Sequence, residues 1–325
     1  MPKAIVIHET GGPDVLKFEE VEAAPPSPGE ARIRHHAIGL NFIDIYFRSG
    51  LYPSPSGLPF TPGNEGAGEV IALGEGVSGL AIGDRVAYVG PLGSYGEERN
   101  IAADRLVKLP DGISYETAAG MMLKGMTAEY LLKRTFAVRP GTRVLFHAAA
   151  GGVGLIAGQW GKLLGATMIG TAGSPEKVAL ARAHGYDHVI NYRDTDFVAA
   201  IQELTDGEGV DVVYDSVGKD TFPGSLDCLR VRGLWVSFGQ SSGPLAPFNL
   251  AVLSQKGSLF ATRPTLFNYI ASRADLELSS NALMEVVRDG AVKITVNQSY
   301  PLAEAARAHD DLESRRTTGT TVLMP

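Results

Sequence analysis

Apolar and polar positions alternate on a short period through the first part of the chain, from Met1 to about Leu123. The runs are Ala4 to His8, Ala31 to Ala37, Gly68 to Ala72 and Arg85 to Val89, with a further short one at Ile101. Pro- and Gly-rich stretches such as AAPPSPGE and LYPSPSGLPFTPG separate them. A period of two broken by turn residues predicts strands, so this part reads as mostly β. The grammar changes after Ser114 to Lys124, which has a helical pattern. From there to about Thr262 six apolar runs follow: Arg143 to His147, Thr167 to Thr171, His188 to Asn191, Val210 to Asp215, Leu234 to Phe238 and Ser258 to Ala261. Helical stretches separate the first five, among them Gly152 to Leu164 and Pro175 to His184, with Gly165 and Gly185 where helix C-caps belong.

Strand and helix in repeated alternation mean a parallel sheet covered on both faces, an α/β arrangement. Six strands is the count of a doubly wound dinucleotide-binding domain. Arg263-Pro264 reads as a return to the β part, followed by helices near Asn281 to Arg288 and Ala303 to Leu312 and a last strand at Thr321 to Met324. The expected division is therefore a discontinuous β domain, residues 1–124 and 264–325, around an α/β domain, residues 125–263.

Composition narrows the function classes. With 325 residues, 44% of them hydrophobic and 20% charged, the chain can bury a sizeable core. A formal charge of -7 repels phosphate backbones and argues against nucleic acid as a main partner. No run reaches the roughly 18 apolar residues of a membrane span. The single cysteine, Cys228, allows neither an internal disulfide nor a multi-cysteine zinc cage. The N-terminal MPKAIVIHETGGPDVL has no apolar secretory core, and a reducing, cytoplasmic setting is expected.

The strongest local signal is VLFHAAAGGVG, residues 144–154. Against G-x-G-x-x-G, Ala149 replaces the first glycine, while Gly151 and Gly154 hold the second and third places. Small residues between a strand and a helix let the backbone approach a pyrophosphate, and the helix N-terminus offers free N–H groups. Ala150, Gly151, Gly152, Val153 and Gly154 are the candidates for that contact. Where NAD-binding folds place a carboxylate about 20 residues on, this chain reads Gly170-Thr171-Ala172-Gly173-Ser174-Pro175-Glu176-Lys177. With no carboxylate at the strand tip, Ser174 and Lys177 are candidates to hold a 2′-phosphate, with Tyr192 and Arg193 closing the pocket. NADPH is expected rather than NADH.

These residues, with Asn41-Phe42-Ile43-Asp44, Pro62-Gly63-Asn64-Glu65-Gly66-Ala67-Gly68, Gly83-Asp84-Arg85-Val86 and Asp215-Ser216-Val217-Gly218, resemble the medium-chain dehydrogenase/reductase superfamily. Within it the chain resembles the zinc-free, zeta-crystallin-like quinone oxidoreductases, and INYR, SLDCL and VSFGQSSG extend the match along the whole length. The resemblance implies a GroES-like β domain, a Rossmann domain, an active cleft between them and a homodimer. It implies a quinone pocket in the loop carrying Asn41, Tyr46 and Tyr52, with Asn41 donating to the oxygen and a tyrosine stacking or giving a proton. It also places Thr127 at the nicotinamide amide, Ser216, Phe238, Gly239, Ser241 and Arg263 along the cofactor, and Arg316 within reach from the C-terminal segment.

Zinc-dependent members of that superfamily carry a His-Glu pair in the segment matching Gly63 to Gly68 and a cysteine ligand near Asn41. Here Asn64 and Asn41 stand at those places, and no metal site is expected. Many relatives also end in Gly-Lys before the last strand, where this chain has Gly319-Thr320-Thr321. One dinucleotide site leaves no second site for a flavin relay, so transfer is expected directly from NADPH to a quinone. An alkenal or enone double-bond reductase is the neighbouring reading; a non-catalytic NADPH- or RNA-binding protein is the reading from another class.

Overall fold

The computed structural model describes residues 1–325. Two compact units divide them: residues 1–126, 270–288 and 294–325 in the first, and residues 127–269 and 289–293 in the second.

The first unit opens with β1 (Lys3–Ile7) and β2 (Leu16–Glu20), a two-stranded antiparallel pair. It continues through β3 (Glu30–Gly39), α1 (Phe42–Arg48), β4 (Glu65–Leu73), β5 (Arg85–Val89), β6 (Glu98–Ala102), β7 (Val107–Lys108) and α2 (Tyr115–Tyr130). The second unit holds β8 (Arg143–Phe146), α3 (Gly152–Leu163), β9 (Thr167–Ala172), α4 (Pro175–Ala183), β10 (His188–Asn191), α5 (Phe197–Leu204), β11 (Val210–Asp215), α6 (Gly224–Asp227), β12 (Leu229–Ser237), α7 (Ala251–Gln255), β13 (Phe260–Thr262) and α8 (Leu266–Tyr269). The chain ends with α9 (Arg273–Arg288), β14 (Val296–Pro301), α10 (Ala305–Glu313) and β15 (Thr320–Met324).

In the first unit the main sheet runs β14-β15-β3-β4-β5-β7, with β6 also pairing β3. β3 shows why a period of two makes a strand: Ala31, Ile33, His35 and Ala37 are buried, whereas Arg34 and His36 between them are exposed. One face packs Ile33 with Val70, Val86, Tyr88, Ile101 and Leu106. The last strand, β15, joins β3 through Val322 and Leu323, so the C-terminal segment completes this sheet.

The second unit is a six-stranded, all-parallel sheet in the order β10-β9-β8-β11-β12-β13. Counted within the unit that is 3-2-1-4-5-6, and the order reverses between β8 and β11. At such a point the two flanking connections leave on opposite faces and open a crevice beyond the strand C-termini. Leu145, Ile169, Val213 and Trp235 form the middle of its core. Cys228 is buried in the same core.

Two elements differ from the expected pattern. The segment after Asn41, expected as a loop, is the helix α1. β12 begins at Leu229 rather than Leu234, because the register against β11 shifts at Val210/Val212 and Arg232 takes φ 60°. The polar stretch Arg230-Val231-Arg232 hides its first half from an apolar count.

Candidate active site

The turn after β8 is built by the backbone. His147 N–H donates to the Tyr214 carbonyl at 3.0 Å and Ala149 N–H to the Thr171 carbonyl at 3.0 Å, pinning the turn to β11 and β9. Ala148 sits between them at φ 56°, a left-handed conformation that a side chain resists. Gly151 is the N-cap of α3. A Cβ on Gly154 would stand 2.5 Å from the Ala148 oxygen and 2.6 Å from the Ala149 oxygen, so only glycine lets the helix press so closely against the turn. The first-turn amides of Gly152, Val153 and Gly154 have no carbonyl one turn back, which makes a concave, side-chain-free anion cradle that fits a pyrophosphate.

Beside it, β9 ends on Ala172 with no carboxylate at the tip. Ser174 caps α4, accepting from Lys177 N–H at 3.3 Å. The Ser174 hydroxyl donates to Glu176, which, with a backbone N–H, holds that carboxyl below its ordinary range. Glu176 therefore shares the first turn with Lys177, a neighbour that sequence spacing had not weighed. The hydroxyl of Tyr192 lies over Gly173, where a Cβ would come within 2.3 Å of it. Gly173, Ser174, Lys177 and Tyr192 thus gather at one corner.

The floor of the crevice is held by Asp215 at the end of β11, fully buried. Its carboxylate accepts from the backbone N–H groups of Val217 and Gly218 (2.9 and 3.0 Å), from Thr221 and Ser225 hydroxyls (2.8 and 2.9 Å), and from the Trp235 indole (3.3 Å). His147 extends the network to Ser225 and to Thr171, and burial pushes its pKa down, so it stays neutral. This fixes the turn carrying Ser216, whose carbonyl accepts from Ser241 N–H at 3.0 Å, while Phe238 N–H donates to the Asp215 carbonyl at 2.8 Å. Arg263 donates to the Ser237 hydroxyl and the Gly239 carbonyl at 2.9 and 2.8 Å, stitching β13 to the same turn. Ser216, Phe238, Gly239, Ser241 and Arg263 are therefore together at the strand C-termini with Ala150 to Gly154. Thr127 is buried on α2. Arg316 lies in the first unit, where Asp310 and Asp311 each accept from it at 2.6 Å.

The first unit brings Asn41, Tyr46 and Tyr52 together around α1. Asn41 is its N-cap residue, extended at φ -139° and ψ 157°, and Asn41 and Tyr46 are both buried. Tyr52 N–H donates to the Tyr46 carbonyl at 2.9 Å, and the two rings meet edge to face, 5.2 Å between centroids. Two residues that sequence reasoning left without a role complete the arrangement. Glu65, wholly buried on β4, accepts from the Asn41 side-chain amide (2.8 Å), from Lys124 Nζ (2.8 Å) and from Leu123 N–H (2.6 Å). Gly39 makes room, since a Cβ there would lie 2.2 Å from Glu65 Oε1. A lysine inside the apolar helical run AAGMMLKGMTA was the available signal, because a lysine on a buried face needs a carboxylate partner. With one amide hydrogen held by Glu65, Asn41 keeps a second, oriented N–H.

Two family models match this chain: the alcohol dehydrogenase GroES-like domain over residues 27–140 and the zinc-binding dehydrogenase over residues 152–275. A quinone oxidoreductase of Pseudomonas aeruginosa is 54% identical, covering 100% of both chains. The chain belongs to the quinone oxidoreductase family. The solved structure of Escherichia coli quinone oxidoreductase complexed with NADPH matches at TM-score 0.98 and 50% identity, over 99% of this chain and 100% of that one. A 2-haloacrylate reductase of a Burkholderia species is 45% identical over 100% of this chain and 99% of its own. The wider group's zinc-binding label does not fit the residues of this quinone oxidoreductase family member: Asn64 donates its amide to the Gly90 carbonyl, Asn41 binds Glu65, and no three His, Cys, Asp or Glu side chains gather as a metal would need.

Proposed function

We propose that this protein is an NADPH-dependent quinone reductase that transfers a hydride directly, with neither metal nor flavin. The observation that carries the reading is the glycine-walled turn at Ala148 to Gly154, a pyrophosphate cradle in a chain 54% identical over its whole length to a quinone oxidoreductase. When bound, the nicotinamide supplies the hydride. The amides of Gly152, Val153 and Gly154, with Ala150 and Gly151 lining the approach, hold the pyrophosphate, and Ser174, Lys177 and Tyr192 hold the 2′-phosphate. Ser216, Phe238, Gly239, Ser241, Arg263 and Thr127 orient the ring end, with Arg316 within reach from the C-terminal segment. Asn41, held by Glu65, donates its remaining N–H to the quinone oxygen as charge builds there, and Tyr46 or Tyr52 packs against the quinone ring.

The protein is also proposed to act in the cytoplasm as a homodimer. β13 pairs only with β12, and Phe260 on that open edge is 61% exposed. No helix is long and apolar enough to cross a membrane. A single-chain mass in sedimentation would remove the dimer.

The direct test follows NADPH absorbance with 1,4-benzoquinone, a naphthoquinone, an alkenal and a 2-haloacrylate, with NADH and a chelator as controls. Quinone-dependent oxidation that favours NADPH and ignores the chelator is expected. Turnover with the alkenal or haloacrylate alone would replace the reading with double-bond reduction, and binding without turnover would leave a non-catalytic cofactor-binding protein. Lys177→Ala should weaken NADPH by about 1.5–3 kcal/mol and leave NADH nearly unchanged. Equal weakening of the two would remove Lys177 from the 2′-phosphate pocket.

A further inference from the structure

A line of buried polar side chains runs through the first unit next to Asn41. Arg48, at the end of α1 and 2% exposed, donates to the Gly11 carbonyl (3.1 Å), to Glu313 (2.8 Å) and to His309 Nδ1 (3.2 Å). A guanidinium only donates, so His309 Nδ1 accepts and the imidazole carries its proton on Nε2. That N–H donates to the Tyr95 hydroxyl oxygen at 3.0 Å, and Tyr95 in turn donates to Asp44 Oδ2 at 3.0 Å. The same carboxylate oxygen accepts the backbone N–H of Asn41 at 2.8 Å. Every bond in the line points the same way and ends on Asp44, which is wholly buried and whose other oxygen, Oδ1, has no partner.

We propose that Asp44 is a positioning residue for quinone turnover: through Tyr95, His309 and Arg48 it clamps the start of α1 against α10, and uptake of a proton on Oδ1 loosens that clamp. The inference rests on the quinone reading of Asn41 and Tyr46, which α1 carries. An ionised Asp44 makes charge-assisted bonds to Asn41 N–H and Tyr95 O–H; a neutral one does not. The groups facing it are Tyr95 from the loop before β6, Glu65 from β4, which disfavours its charge, and Lys124 from α2, which favours it. Arg48 and His309 act through Tyr95. Burial dominates and raises the Asp44 pKa to about 7. His309, pushed by burial down to about 3, stays neutral throughout and keeps the direction of the line fixed.

The test measures quinone KM and NADPH affinity from about pH 5 to about pH 9 for the wild type, Asp44→Asn and Tyr95→Phe. In the wild type the quinone KM should rise as the pH falls through about 7 while NADPH affinity holds. Asp44→Asn, frozen in the neutral form, should show a KM raised about tenfold at every pH and no step. Tyr95→Phe removes one bond and keeps the carboxylate, so it should show a smaller rise and keep the step; it also serves should Asp44→Asn fail to fold. An Asp44→Asn enzyme with the wild-type KM and pH step overturns the proposal. A second readout needs no turnover: amides of α1 should exchange with solvent faster in Asp44→Asn than in the wild type at pH above about 7, and equal exchange overturns the clamp. Were the wild type to turn over no quinone, the functional reading would fall and this exchange would still decide the clamp. Global stability separates positioning from misfolding. The folded pKa lies above the unfolded one, so the native state binds the proton more tightly and stability falls as pH rises from about 4 to about 7. Asp44→Asn should therefore gain melting temperature relative to wild type as the pH rises through that window.

Discussion

At the end of β8 the groups that await a ligand are backbone amides, and the side chains around them are absent or small. Around Asn41 the reverse holds: every link in the buried network involves a polar side chain, drawn from β4, α1, α2, α10 and the loop carrying Tyr95, with a few backbone groups joining in. The first arrangement is contiguous in the chain and rigid because turns and strand ends fix it. The second is assembled from positions up to 265 residues apart, as Arg48 and Glu313 are, and is rigid only while each member keeps its partner. The contrast separates two ways of making a polar site inside a protein, one by removing side chains and one by satisfying them against each other.

That difference can be broken hardest on the side-chain half. Glu65→Ala would leave the buried Lys124 ammonium, the Asn41 amide and Leu123 N–H without their acceptor, and should cost about 3–5 kcal/mol of stability in denaturant titration. Adding Lys124→Met should recover part of it, since the stranded charge is then gone; a double variant no better than the single would mean that the pair is not coupled. On the backbone half, Gly154→Ala should keep the fold's secondary structure yet force α3 away from Ala148, weakening cofactor binding by about 1–3 kcal/mol in a fluorescence titration. Unchanged affinity would show that the close approach is not used. The smallest effect should have the opposite sign. Ala148→Gly relieves a left-handed backbone and should raise stability by up to about 1 kcal/mol, less what glycine loses in unfolded-state entropy.

The same contrast explains what could be read without coordinates. The parallel sheet was legible because β8 to β11 are short apolar runs bounded by glycine, and the phosphate turn because all its parts lie within eleven residues. α1 was not, because Phe42-Ile43-Asp44-Ile45-Tyr46-Phe47-Arg48 is apolar at nearly every position and shows no period; the signal it does carry is the pair Asn41 and Asp44, three apart, at its N-terminus. Glu65, Lys124, Tyr95 and His309 are ordinary polar residues in sequence, and only folding brings them onto one site. Arg316, placed near the cofactor by resemblance alone, carries a second set of partners that no motif announced: Asp311 and Asp310, five and six positions before it, on the preceding helix.

Cys228 offers a last consequence. Benzoquinones and activated alkenes are electrophiles that add irreversibly to thiolates. The one sulfhydryl in this chain is packed under β12 in the core of the second unit, where burial and the nearby Asp227 and Asp196 charges keep it protonated far above neutral pH. An electron-poor molecule meeting the protein therefore finds no thiolate to alkylate, so the most reactive nucleophile a protein can offer is withheld from the class of compound it is proposed to reduce.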